Sequence, residues 1–154
     1  MLIIPIFVPN AGCPHDCCFC DQKKISGQIK ELMADDVRQI IDEYLKVNSN
    51  VDYKNIEVAF YGGSFTGIET EKQIEFLKVA KQYIDEKRID SVRLSTRPDY
   101  INEEILAYLK DYGVKTIELG VQSLNDEVLL ASKRGHNSII VEKSATLIKE
   151  NGFE

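Results

Sequence analysis

The strongest constraint on the fold is an alternation. Short apolar runs and longer amphipathic stretches follow one another four times along the 154 residues. The runs are 2–8, 56–61, 91–95 and 115–121, rich in Ile, Val, Leu and Phe and short enough for buried strands. Between the first two, Val37, Ile40, Ile41, Tyr44 and Leu45 recur at helical spacing, which predicts a helix over 36–46 capped by Asp35 or Asp36. Phe76, Leu77, Ala80, Tyr83 and Ile84 predict a second helix over about 71–86, with Thr70 and Gln73 as a capping box. Asn102 heads a third, with Glu103 and Glu104 in its first turn, ending near Tyr112-Gly113. After the fourth run come a short helix capped by Asn125, with Leu124 and Leu129 as a hydrophobic staple, and a last helix over 138–150. Phe153-Glu154 read as the opening of a fifth strand. Strands alternating with helices imply an α/β fold, a parallel sheet joined by right-handed crossovers.

In such a sheet or barrel the loops after the strands gather at one edge, and that edge carries the site. Four unusual loop sequences fall there. They are the cysteine-rich stretch 9–23, Gly62-Gly63-Ser64, Ser95-Thr96-Arg97 and Gln122-Ser123. The glycines allow close approach of backbone to a ligand. All 4 cysteines lie in the first loop, at 13, 17, 18 and 20. A disulfide framework would spread its cysteines to close loops, so this clustering reads as a metal-ligand loop in a reducing compartment, and we expect a cytoplasmic protein. Cys13, Cys17 and Cys20 follow C-x3-C-x2-C, a spacing that can deliver three thiolates to one corner of an iron–sulfur cluster. Such a cluster normally takes four thiolates, so three leave one iron open for chemistry. The alternative is a structural zinc site closed by Cys18 or His15, on a chain that is then a structural or interaction module.

With the cysteine triad, Phe19 just before Cys20, and Gly62-Gly63-Ser64, the chain resembles the radical S-adenosylmethionine superfamily. Ser95-Thr96-Arg97-Pro98-Asp99 and Gly120-Val121-Gln122-Ser123 are similar to the branch of the Elongator catalytic subunit and the oxygen-independent coproporphyrinogen oxidases. The resemblance runs from about residue 3 to the end. It implies the N-terminal part of a partial TIM-type (βα)6 barrel, with residues 1–154 as one incomplete core domain. Six units would take roughly 190 residues, so we expect a piece of a longer enzyme, cut after about four. It implies a [4Fe–4S] cluster on Cys13, Cys17 and Cys20, with S-adenosylmethionine chelating the fourth iron. Reductive cleavage of the sulfonium would give methionine and a 5′-deoxyadenosyl radical that abstracts hydrogen from a substrate. The electron would come from a flavodoxin- or ferredoxin-like donor. Phe19 would pack on adenine, and the Gly62-Gly63-Ser64 turn would bind the nucleotide, with the Gly62 and Gly63 carbonyls accepting from its ammonium. Ser95, Gln122 and Arg134 would serve the ribose, methionine and carboxylate regions, with Arg97 a second candidate for the carboxylate. The residue after the two glycines is usually an acid in these enzymes, and here it is Ser64. Transfer RNA is a substrate suggested by the resemblance alone, and porphyrinogen-like or other small substrates stay open.

Read without the resemblance, several of these residues have plainer roles. Gly62-Gly63 is an ordinary strand-to-helix turn, Arg97 and Arg134 are surface arginines paired with acids, and His136 is structural. Cys18 and His15 are bystanders in the loop. No apolar run reaches the length of a membrane span, so no membrane partner is expected. The net charge of −6 argues against a broad electrostatic footprint for nucleic acid.

Overall fold

A computed structural model describes residues 1–8, 17 and 31–154. Cys13, Cys18, Cys20, His15 and Phe19 lie outside the described residues. The predicted alternation is present. The strands are β1 (Leu2–Phe7), β2 (Ile56–Tyr61), β3 (Ser91–Thr96) and β4 (Val114–Leu119). The helices are α1 (Ala34–Val47), α2 (Thr70–Asp85), α3 (Glu103–Asp111), α4 (Asp126–Ala131) and α5 (Ser138–Glu150). Single 3-10 turns, Phe65–Gly67 and Pro98–Tyr100, follow β2 and β3. The sheet runs β1-β2-β3-β4 with every pair parallel, so sequence order is spatial order.

Side chains alternate across a strand. On one face Ile4, Ile6, Val58, Phe60, Val92 and Leu94 are buried beneath Val37, Ile41, Leu77, Leu106 and Leu109 of the helices. Phe60 anchors this layer, its ring centroid 4.8 Å from Phe65 and 6.4 Å from Phe76. The β3–β4 ladder carries a bulge. Val92 is opposite Val114, but Arg93 is opposite Thr116, so Lys115 is skipped. The extra residue lets Val114 and Ile117 both bury on the helix face although they are three apart. Beyond it, Glu118 pairs with Ser95 on the other face.

That other face is polar. Arg93 Nε donates to Glu57 Oε2 at 2.6 Å and Nη1 to Glu118 Oε1 at 3.0 Å. Tyr61 Oη donates to the same Glu118 oxygen at 3.1 Å, and Asn55 Nδ2 to Glu57 Oε1 at 2.8 Å. The Glu57 hydrogen bond holds the Arg93 guanidinium above its usual pKa. Burial, and then the Glu118 charge, push the Tyr61 phenol up.

Local starts differ from the sequence reading in three places. The first helix begins at Ala34 with Met33 as N-cap, and Asp36 caps from within, accepting the Met33 N–H at 2.9 Å. Thr70 is the first residue of α2 and caps nothing. Its supposed partner Gln73 is buried, donating to the Ile68 carbonyl at 2.7 Å and accepting from Tyr108 Oη. Leu124 is exposed rather than stapled to the buried Leu129. The Phe153-Glu154 reading agrees with the backbone. Glu154 N–H donates to Lys115 O at 2.8 Å and Glu154 O accepts from Ile117 N at 2.9 Å, the pattern of a parallel neighbour to β4.

Candidate active site

Because the strands are parallel, their C-terminal ends share one edge, and the chain leaves them at Phe7, Tyr61, Thr96 and Leu119. Val8, just after β1, is tied to β2 by its N–H to Tyr61 O at 2.7 Å. The first glycine after β2 must be glycine on two counts. Gly62 has φ +100°, and a Cβ there would lie 2.3 Å from Cε2 of the Phe7 ring. Gly63 is not among the glycines of positive φ. Ser64 is buried. Its hydroxyl faces Thr96 Oγ1 at 2.9 Å and accepts the Arg97 backbone N–H at 3.2 Å.

The loop after β4 turns sharply. Val121 N–H reaches Leu119 O and Ser123 N–H reaches Val121 O, both at 2.9 Å. Gln122, at the centre of the second turn, has φ 70°, a conformation rare outside glycine. Strained backbone of this kind concentrates at ligand sites. Gln122 is exposed there, while Ser95 is half-buried on the polar face of the sheet.

The two arginines separate in role. The Arg97 guanidinium is buried, bidentate to Asp99 through Nε at 2.9 Å and Nη2 at 2.8 Å, and also donates to the Arg134 carbonyl at 2.6 Å. Its charge is thus matched by Asp99, and it holds the main chain that carries the second arginine. Arg134 is only 8% exposed. Its Nη2 donates to Gly120 O, and its Nη1 lies 3.7 Å from Cys17 Sγ. Cys17 is buried, with its thiol 3.6 Å from Lys133 O. So the loop after β1 meets the segment after α4 across 117 positions of sequence. The Arg134 Nε is buried with no hydrogen-bond partner among the described residues. His136 completes the cluster. Its Nε2 donates to Val121 O at 3.4 Å, and Nδ1 lies 3.7 Å from Asp99 Oδ1. Burial first, then the neighbouring Arg134 and Arg97 charges, lower its pKa, outweighing the Val121 carbonyl and Asp99.

Chemically, this edge offers a thiol beside a guanidinium whose Nε–H is unspent among the described residues, a strained Gln122, and a glycine turn. The family model of the radical SAM superfamily matches residues 7–154. The chain belongs to the radical SAM superfamily. It is 25% identical to a tRNA uridine(34) acetyltransferase of Methanocaldococcus infernus, over 99% of this chain and 35% of that protein. It is 26% identical to the heme chaperone HemW of Lactococcus lactis, over 92% of this chain and 36% of the relative. The solved archaeal Elp3 of Methanocaldococcus infernus superposes with TM-score 0.70 at 24% identity, covering 99% of this chain and 36% of that one. This radical SAM chain therefore spans about a third of the length of these relatives. Methylornithine synthase, at 13% identity, shares the fold with TM-score 0.64.

The described residues fit the group this family carries. A buried guanidinium whose Nε–H has no partner among the described residues, beside a cysteine thiol, is suited to an anion, whether a cluster thiolate or a ligand carboxylate. Among the described residues no three His, Cys, Asp or Glu gather around a metal position. Cys17 is the one proposed ligand described; Cys13 and Cys20, like Phe19, lie outside. Thr96, which holds Ser64, falls within the Ser95-Thr96-Arg97 motif but was given no role there, and Thr66, which holds Thr96, was missed because nothing in its local sequence distinguishes it from an ordinary turn residue.

Proposed function

We propose that this chain is the core of a radical enzyme in which Cys13, Cys17 and Cys20 hold a [4Fe–4S] cluster and the strand C-terminal edge binds S-adenosylmethionine. When bound, the pair supplies reductive cleavage of the sulfonium and hydrogen abstraction from a substrate. The observation that carries the reading is the meeting of Cys17 with Arg134, whose buried Nε has no hydrogen-bond partner among the described residues. Arg134 takes the nucleotide carboxylate or balances the thiolates, and Arg97 with Asp99 holds it in place. The Gly62-Gly63 carbonyls accept from the ligand ammonium, and Ser95 and Gln122 take the ribose and methionine. Packing of Cys17 under the segment that follows α4 excludes water on that side. The name of the similar tRNA uridine(34) acetyltransferase supports transfer RNA as the substrate. A flavodoxin- or ferredoxin-like protein in the cytoplasm is the electron donor in this scheme. No helix among the described residues is long and apolar enough to cross a membrane.

The test is anaerobic reconstitution with iron and sulfide, followed by EPR of the reduced protein with and without S-adenosylmethionine. A cluster signal that shifts on adding the nucleotide is expected. Cys17→Ala abolishes iron incorporation and Cys18→Ala retains it. Zinc in place of iron, or unchanged iron in Cys17→Ala, overturns the proposal.

A further inference from the structure

Beneath the glycine turn lies a chain of buried hydroxyls. Thr66 Oγ1 is 2.7 Å from the Tyr100 carbonyl and 2.5 Å from Thr96 Oγ1; Thr96 Oγ1 is 2.9 Å from Ser64 Oγ; and Ser64 Oγ is 3.2 Å from the Arg97 amide nitrogen. Ser64, Thr66 and Thr96 are each at most 6% exposed.

The two ends fix the direction of every proton. A carbonyl only accepts, so the single hydroxyl proton of Thr66 goes to Tyr100 O. Thr66 then accepts from Thr96, and Thr96, its proton spent, accepts from Ser64. Ser64, its own proton spent, accepts from the amide of Arg97. Each hydroxyl spends its one proton within the run, so none is left to donate to a ligand, and all three are buried away from it. The run links the end of β2 to the end of β3 and to the 3-10 turn after it. The Thr96 carbonyl extends the tie to β4, accepting the Gly120 N–H at 2.8 Å.

We propose that Thr96 and Thr66 are positioning residues for S-adenosylmethionine. They act through Ser64 to hold the Gly62-Gly63 carbonyls at the height of the ligand ammonium, and none of the three hydroxyls touches the nucleotide. The inference rests on the nucleotide-binding reading above. Gly62 explains why an anchor is needed. It has no side chain of its own, and the Phe7 ring that lies against it is 45% exposed and free to swing outward, so the turn's height above the sheet is set by the next buried residue, Ser64.

The test uses the reconstituted chain, with iron content, thermal unfolding midpoint and the dissociation constant of S-adenosylmethionine measured for each variant. Thr96→Val keeps the shape and removes the central hydroxyl, leaving Ser64 without an acceptor and Thr66 without a donor. Nucleotide binding is expected to weaken about tenfold with iron content unchanged. Thr96→Ser restores the hydroxyl and returns affinity to within about twofold. Thr66→Ser, which keeps the terminal hydroxyl and folds whether or not Thr96→Val does, binds as the unmodified chain, whereas Thr66→Val weakens binding in the same sense. A lowered unfolding midpoint with unaltered nucleotide affinity assigns the hydroxyls a structural role only and overturns the inference. Unmodified protein that takes up no cluster, or takes it up and ignores the nucleotide, overturns the underlying reading instead, and this inference with it.

Discussion

Gly62→Ala separates two causes that reserve this position for glycine. The first is backbone conformation. Forcing a non-glycine residue into the left-handed region costs about 1–2 kcal/mol, and Gly62 sits at φ +100°. The second is space, because a Cβ would lie 2.3, 2.5 and 2.7 Å from three carbons of the Phe7 ring. Overlap of that kind costs about 1–3 kcal/mol where the neighbour is fixed. Phe7 is 45% exposed, so its ring can swing outward and the lower half of that range applies. Gly62→Ala alone should therefore cost about 2–4 kcal/mol. In a Phe7→Ala background the overlap is gone and only the backbone cost of about 1–2 kcal/mol survives. The assay is urea unfolding of the four proteins of the cycle, which yields the coupling energy directly. A coupling of about 1 kcal/mol or more is expected, with the double variant less damaged than the two single costs together. Equal cost of Gly62→Ala in both backgrounds would refute the Phe7 contact. A cost under about 0.5 kcal/mol in either would refute the turn conformation. S-adenosylmethionine affinity should fall in both backgrounds, since relief of the overlap does not restore the turn.

Two further outcomes follow from charges. Arg93→Met strands the Glu57 carboxylate, buried at 6% exposure with Asn55 as its remaining partner, and should cost about 3 kcal/mol by urea unfolding; adding Glu57→Leu should recover most of it, while the half-exposed Glu118 contributes little. His136 has its pKa lowered by burial, so on acidification the unfolded chain takes the proton first, from about pH 6.5 downward. The His136 contribution is fully present above that pH and is lost as pH falls toward the depressed folded value, at up to about 1.4 kcal/mol per pH unit. The groups facing it are Asp99, Arg97 and Arg134, which His136→Gln leaves in place. That variant should therefore show a flatter stability profile between pH 6.5 and 5 than the unmodified chain, and identical slopes would refute the assignment.

The order of elements was legible because strand and helix periods differ, and each run here is long enough to show its own. What the sequence could not price was tertiary competition for the same polar group. Thr70-Glu71-Lys72-Gln73 satisfies a local capping rule, yet Gln73 is buried between the Ile68 carbonyl and the Tyr108 hydroxyl. A bond to the carbonyl five residues back and a long-range bond from Tyr108, both to an otherwise buried amide, outweigh one local bond at a solvated helix end. The same reasoning divides the arginines. Arg97 has an acid two residues on, so its pairing with Asp99 could have been read locally. Arg134 has no acid nearby in sequence, and its nearness to Cys17 depends on two loops meeting across the sheet edge. The bulge at Lys115 left no mark in composition, but one mismatch did. Purely buried parallel strands are apolar on both faces, whereas β2, β3 and β4 each carry a charge in mid-strand or near the end, at Glu57, Arg93 and Glu118. Helices on both faces would bury a carboxylate–guanidinium–carboxylate row beneath a hydrophobic layer at a cost of several kcal/mol. Helices on one face leave that row on an open polar face, the arrangement of a barrel interior rather than of a doubly wound sheet. Three charges in three strands therefore discriminate between the two parallel architectures that the alternation alone leaves open.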